Sequence, residues 1–291
     1  EETITFESHI REKWRIATEP GIWIPFYLLL PRSGQGPFPL VIAPHGHGRR
    51  GKEVYVGNYT SEEERRSGRD GERDIALQAV EEGYAVIAPD VRGFWEMGCE
   101  ADIAEPVSRD NSCAHLQRVA LMYGRTLIGE RVHDMGRLID YAQTRPEIDT
   151  GRIILTGNSG GGTVTLFTAA LDERVSIAVP SSYVCTFEAS IIPIEHCPCN
   201  LIPGVLELAE MYDIAGLIAP RPLLIVHGAE DEIYPIAGTR EAYKAITEIY
   251  AAGWNAADRC ELYVGDGGHR YYKARVWSFV AEHLSRLSGG L

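Results

Sequence analysis

The chain has 291 residues, 45% of them hydrophobic, and a formal net charge of -13. That length and apolar content supply a sizeable core and exclude a disordered chain. The acidic balance, without a long basic run, excludes nucleic acid as the expected partner. No apolar stretch approaches the ~20 residues that cross a bilayer.

The predicted elements begin with strands. Residues 13–18 and 22–30 read as a hairpin turned at Glu19-Pro20-Gly21. Residues 39–43 form a strand that runs into Pro44-His45-Gly46-His47-Gly48. Residues 61–73 are dense in charge and are expected as a solvated loop. A helix over 74–82 and a buried strand over 84–88 follow, then a loop, Asp90-Val91-Arg92-Gly93-Phe94-Trp95. Residues 127–143 have helical apolar spacing and stop before Arg145-Pro146.

The second half alternates more regularly. Strands are predicted at 152–156, 175–179, 222–226 and 261–264, and helices at 162–171, 236–250 and 271–287. Val276, Phe279, Val280 and Leu284 make the apolar stripe of the last helix, with His283 expected on its surface. Residues 187–218 read as irregular, with short helical pieces. Strands alternating with helices imply parallel pairing through right-handed crossovers. The chain is therefore expected to be one α/β domain over 1–291. Its sheet should be twisted and mostly parallel, with an antiparallel hairpin at the start and helices on both faces.

One motif carries chemistry. Gly157-Asn158-Ser159-Gly160-Gly161 reads G-x-S-x-G between a predicted strand and a predicted helix. In that context the pattern marks a nucleophile elbow, a sharp turn that exposes the serine hydroxyl above a helix N-terminus. A serine needs a base, and the base needs an acid to orient it. Of the nine histidines, His196, His227, His269 and His283 follow Ser159. His269 sits in Gly265-Asp266-Gly267-Gly268-His269-Arg270, between the last strand and the last helix, and is the expected base. The expected acid is Asp231, in the loop after the 222–226 strand, with Glu230 as fallback and Asp266 as a weaker competitor. The expected oxyanion donors are the backbone amides of Gly160 and His47, each in a glycine-rich turn after a strand. The His45 side chain is expected to brace its loop. Trp95 is a candidate to stack on a sugar ring.

The six cysteines are Cys99, Cys113, Cys185, Cys197, Cys199 and Cys260. Six in a chain this long do not define a disulfide scaffold. Cys99 and Cys113 could bridge within one loop. His196-Cys197-Pro198-Cys199 has the residue types of a metal site, but C-x-C is tighter than usual zinc spacing and no second pair accompanies it. No metal and no cofactor are expected; a structured loop or a disulfide is. No secretory leader is visible, and the sequence starts at Glu1, so location stays open between the cytoplasm and export with a leader removed.

Several stretches carry a resemblance. Gly-x-Ser-x-Gly, the Gly228-x-x-Asp231 loop and Gly268-His269 resemble the α/β hydrolase superfamily across the whole chain. The opening near Pro25, Pro44-His45-Gly46-His47-Gly48, Asp90-Val91-Arg92-Gly93, Tyr212-Asp213-Ile214-Ala215 and Ala219-Pro220-Arg221-Pro222 resemble acetyl xylan esterase-like and dienelactone hydrolase-related members. The resemblance implies a serine esterase acting on short acyl esters of small molecules or carbohydrate. Dienelactone hydrolases carry cysteine where this chain has Ser159, which departs from the lactonase pattern. A serine peptidase of the same fold, or a binding protein on a hydrolase scaffold, remains the alternative. Oligomeric state is open.

Overall fold

The computed structural model describes residues 2–104 and 110–288. They fall into two units. The first runs to Thr150 and takes back Cys197–Ile202; the second holds Gly151–His196 and the chain from Pro203.

The first unit contains β1 (Glu2–Thr5), β2 (His9–Glu19), β3 (Ile22–Pro31), β4 (Phe38–Ile42), α1 (Lys52–Tyr55), α2 (Glu62–Asp70), α3 (Ile75–Glu81), β5 (Ala85–Pro89), α4 (Glu100–Ile103), α5 (Cys113–Met122) and α6 (Leu127–Ala142). Its strands lie in the order β1-β2-β3-β5-β4. The predicted hairpin is β2–β3; Gly21 turns it at φ 82, a conformation that suits a residue without a Cβ. β3 pairs antiparallel with β5, and β5 parallel with β4. Leu40, Val41 and Ile42 of β4 and Ala85 to Ala88 of β5 are all buried. Such continuous apolar runs belong to strands covered on both faces.

Residues 61–73 are not a loop. They hold α2, whose first turn is capped by the Ser61 hydroxyl accepting from the Glu64 amide at 3.1 Å. Glu62, Glu63 and Glu64 sit at its N-terminus and Arg69 in its last turn, the order that the helix dipole favours. The charge density that suggested a solvated loop is the solvated surface of a helix. β1 and α5 were not expected either. α6 follows its prediction within a residue and buries Leu127, Ile128, Arg131, Met135, Leu138, Ile139 and Ala142 on one stripe.

The second unit is built from most of β6 (Ile148–Asn158), then α7 (Gly160–Leu171), β7 (Val175–Ser181), α8 (Met211–Gly216), β8 (Leu223–Gly228), α9 (Ile236–Trp254), β9 (Cys260–Gly265) and α10 (Val276–Ser288). Its strands lie in the order β6-β7-β8-β9, and every pair is parallel. Asn158, Ser181, Val226 and Tyr263 lie on one line of register across them. The carboxyl ends of all four strands therefore share one edge, and the loops leaving β6, β8 and β9 there carry Ser159, Asp231 and His269. The antiparallel hairpin before a largely parallel run is the α/β arrangement read from the sequence.

α10 begins at Val276 rather than 271. Tyr271 and Tyr272 instead anchor the preceding turn: the Tyr271 and Thr156 hydroxyls are 3.0 Å apart, and Tyr272 donates to the Gly268 carbonyl at 2.8 Å. His283 is not on the surface. It lies one turn past Phe279, with ring centroids 4.4 Å apart, and is 5% exposed. A residue seven positions after Val276 returns to the same helix face, which places it in the buried stripe.

Candidate active site

Ser159 occupies the sharp turn between β6 and α7. It is the N-cap of α7, with φ 57 and ψ -118, and its hydroxyl does not cap the helix. A non-glycine residue at that φ is held only where its surroundings over-determine it. Here the Ser159 amide donates to the Ser181 carbonyl at 2.8 Å, and its own carbonyl accepts from the Thr163 amide at 2.9 Å. Gly162 makes the turn possible from the other side. A Cβ there would lie 2.4 Å from the Ser181 oxygen and 3.0 Å from the Tyr183 Cβ, so glycine lets α7 start close against β7. The amide of Gly160 lies in the first turn of α7, where amides have no acceptor within the helix.

Asp231 and His269 meet at the ends of β8 and β9. Asp231 Oδ2 is 2.8 Å from His269 Nδ1. Asp231 Oδ1 accepts from the amides of Ile233 and Tyr234 at 2.9 and 3.0 Å. Asp231 is 4% exposed. Burial works against its charge, but the hydrogen bond and charge of His269 and the Tyr234 amide outweigh it, holding the carboxyl below its ordinary value. The two loops are stitched together by their backbones. The amides of Ala229 and Glu230 donate to the carbonyls of Gly265 and Gly267 at 2.8 and 2.9 Å. A Cβ on Gly228 would lie 2.2 Å from the Gly268 oxygen, so the loops approach as closely as they do because Gly228 has none. The Tyr234 ring stacks on the His269 ring at 5.9 Å, fixing its plane.

Among the carboxylates weighed in the sequence, Asp231 meets the histidine. Glu230, Glu232 and Asp266 are exposed. His227 is fully buried; its Nε2 lies 2.6 Å from the Tyr234 carbonyl and 3.2 Å from the Thr239 hydroxyl. Burial holds its pKa below the ordinary histidine value, so it stands as a neutral brace behind the acid loop. His196 packs against Tyr234 at 5.0 Å between centroids.

His47 and Trp95 belong to the first unit. Trp95 is half-buried at φ 45, with the Arg50 guanidinium 5.5 Å over its ring. His45 braces the loop after β4: its Nε2 accepts from the Val91 amide at 3.0 Å, and its Nδ1 lies 2.8 Å from the Gly46 carbonyl. The loop it leans on is held by buried ion pairs that the sequence did not reveal. Asp90 accepts from the Lys52 ammonium at 2.6 Å, both side chains being fully buried. Arg92 grips Asp134 through two nitrogens at 2.6 and 2.7 Å and reaches Glu19 at 2.6 Å. The Asp90-Val91-Arg92-Gly93 stretch is thus a scaffold that ties the β2–β3 turn to α6.

All six cysteines are free thiols, so the Cys99–Cys113 bridge weighed from the sequence does not form. Instead Cys113, Cys197, Cys199 and His47 converge, with Cys199 Sγ 3.3 Å from Cys197 Sγ and 3.6 Å from His47 Nε2. Hydrogen bonds with Cys113, Cys197 and His47 and the charge of Arg131 outweigh burial and hold the Cys199 thiol well below its ordinary value, while hydrogen bonds with Cys113 and Cys199 push Cys197 up. Burial opposes a charge on His47, but the Cys113 and Cys199 sulfurs outweigh it and raise its pKa to about 9.

The comparisons agree with this architecture. The chain is 28% identical over 256 residues to the Bacillus subtilis (strain 168) protein named putative hydrolase YtaP, covering 84% of this chain and 77% of that one. It is 26% identical over 211 residues to the putative esterase YitV of the same organism, covering 68% and 75%. A crystal structure described as a putative acetyl xylan esterase from Bacteroides fragilis shares the fold with a TM-score of 0.76 at 20% identity, covering 91% of this chain and 68% of that one. The model of the Abhydrolase family matches residues 2–248, and the chain belongs to that family.

Proposed function

We propose that the chain is a serine carboxylic ester hydrolase in which Ser159, His269 and Asp231 act as nucleophile, base and orienting acid. The observation that carries this reading is the 2.8 Å contact between Asp231 Oδ2 and His269 Nδ1, with Ser159 held at a strained elbow on the same strand edge. With Nδ1 committed to Asp231, Nε2 is the nitrogen that takes the Ser159 proton. Oγ then bonds to the ester carbonyl carbon, and the Gly160 amide donates to the developing oxyanion. The C–O bond to the alcohol breaks as His269 returns the proton to the leaving oxygen. Water repeats the sequence on the acyl-serine and releases the acid. The anionic Asp231 stabilises the imidazolium formed in each half.

The substrates this reading favours are short acyl esters, acetyl groups on carbohydrate among them. Support comes from the names carried by the hydrolase, esterase and acetyl xylan esterase relatives. The His47 amide stays with this reading as the second oxyanion donor, and Trp95 as a sugar-stacking residue, on their sequence context. The test is labelling by a fluorophosphonate probe together with hydrolysis of an aryl acetate and a chromogenic peptide. Ser159→Ala should abolish labelling and cost about 10⁶ in kcat on the acetate. Turnover of the peptide in preference to the acetate would favour a peptidase. Absence of labelling and turnover would favour a binding protein.

A further inference from the structure

The side chains of His47, Cys113, Cys197 and Cys199 converge, and none of these side chains takes part in the chemistry above, which uses only the His47 backbone amide. His47 comes from the loop after β4, Cys113 opens α5, and Cys197 and Cys199 flank Pro198 in a short 3-10 turn, Pro198–Asn200. Their ligand atoms all lie within 4.8 Å of one another. We propose that these four residues form a Cys3His zinc site that fastens three distant segments of the first unit.

Three observations support it. The first is geometry. Tetrahedral zinc, with bonds of ~2.3 Å to sulfur and ~2.0–2.1 Å to nitrogen, separates two sulfurs by about 3.8 Å and a sulfur from a nitrogen by about 3.6 Å. The Cys199–His47 separation is 3.6 Å and the Cys199–Cys197 separation is 3.3 Å, so binding needs only a small opening of the sulfur pair. The second is charge. Arg131 is 1% exposed, and among the described residues no carboxylate pairs with it. Its guanidinium donates to the Arg92 carbonyl at 2.7 and 3.1 Å and to Cys113 Sγ at 3.2 Å. A buried cation needs an opposite charge beside it. Zinc with three thiolates and a neutral imidazole carries one net negative charge, which Arg131 neutralises. A disulfide between any two of these cysteines removes thiolate charge and leaves Arg131 poorly compensated.

The third is the outer support. The Gln117 side chain donates to the Leu201 carbonyl and accepts from the Leu127 amide, both at 2.8 Å, so the cysteine-bearing turn is already tied to α5 and α6. The His47 ring is held edge-on to Phe94 at 5.0 Å, and Arg131 lies over the same ring at 5.3 Å. His47 is exposed and Cys197 half-buried, which leaves a path for the ion to enter. The close C-x-C spacing, which argued against metal in the sequence, is compatible with one ion because Pro198 turns both sulfurs to the same side.

The test is metal content. Protein expressed in zinc-supplemented medium and purified in reductant without chelator should hold about one zinc ion per chain by plasma mass spectrometry. A mercurial should release it to a zinc indicator as the thiols are titrated. Cobalt exchanged into the site should give a thiolate charge-transfer band and the d–d bands of a tetrahedral centre. Cys197→Ser should bring the zinc content to near zero, whereas Cys99→Ser and Cys260→Ser should keep it. Zinc retained by Cys197→Ser would overturn the assignment. So would wild-type protein that takes up neither zinc nor cobalt after reduction, or an intact mass two hydrogens short of six free thiols. The wild-type cobalt spectrum decides the matter even where a cysteine variant fails to fold.

Discussion

Asp231→Asn is the substitution whose outcome the geometry specifies most fully. Asp231 Oδ1 accepts from two backbone amides, Ile233 and Tyr234, while Oδ2 faces His269 Nδ1. An asparagine must keep its carbonyl oxygen toward the two N–H donors, since turning its NH2 that way would set donors against donors. Its NH2 then faces His269 Nδ1, which becomes an acceptor and moves the ring proton to Nε2. The histidine is left in the wrong tautomer to receive the Ser159 proton. Loss of the triad carboxylate in this manner costs ~10⁴ in kcat, about 5 kcal/mol of barrier, with the geometry intact. The assay is steady-state hydrolysis of an aryl acetate, with Glu230→Gln as control because Glu230 is exposed. KM should change little. Stability supplies a second reading. The folded pKa of Asp231 lies below the 3.8 of the free side chain, so its contribution is present above about pH 4 and is lost as pH falls through the folded value. The melting-temperature gap between wild type and Asp231→Asn should therefore narrow on acidification below about pH 4. Activity in Asp231→Asn within tenfold of wild type would refute the acid assignment, as would a larger loss in Glu230→Gln.

Gly162→Ala places a Cβ 2.4 Å from the Ser181 carbonyl, the same oxygen that accepts from the Ser159 amide. It should destabilise by about 1–3 kcal/mol despite the better helix propensity of alanine, and should lower kcat; a raised melting temperature in calorimetry would contradict this. His227 and His283 are buried with pKa values held below the free 6.5. The unfolded chain therefore binds protons below about pH 6.5 that the folded chain refuses, and stability should begin to fall there, well above the range in which Asp231 matters. A urea midpoint that is flat from about pH 7 to 5 would contradict it. Acetyl aryl esters should exceed octanoyl esters in kcat/KM; a preference for octanoyl would sink the short-chain reading.

The sequence carried the strand edge well because its signals are local. Apolar runs bounded by glycine place β6, β8 and β9 within a few residues, and the Ser159, Asp231 and His269 loops follow from where those strands stop. What failed was long-range or depended on a helix face. Composition alone makes 61–73 a loop, although Ser61 three residues before Glu64 is an N-cap signal that the charge density masks. Polarity alone puts His283 on the surface, whereas its place seven positions after Val276 puts it on the buried face. The cysteine cluster could not be seen because its members are 66, 84 and 2 residues apart in sequence (47 to 113, 113 to 197, 197 to 199), and spacing rules for zinc read only ligands paired close along the chain.

The site and the scaffold are stabilised by different means, and this bears on how each responds to change. The loops of the second unit that carry Ser159, Asp231 and His269 are aligned by backbone bonds: Ser159 to Ser181, Ala229 to Gly265 and Glu230 to Gly267. Side-chain substitution leaves such bonds standing, and only a residue that forces the backbones apart, as at Gly162 or Gly228, disturbs them. The first unit relies instead on buried charges, Lys52 on Asp90 and Arg92 on Asp134 and Glu19. Removing one member of such a pair leaves the other buried and uncompensated, a loss of about 3–5 kcal/mol. Arg131 belongs with this second group by burial and charge, yet its partners are sulfurs and a carbonyl rather than a carboxylate. Set beside the fully paired Lys52 and Arg92, it is the guanidinium whose counter-charge must come from the thiolates around it, and that requirement links the electrostatics of the first unit to the zinc site.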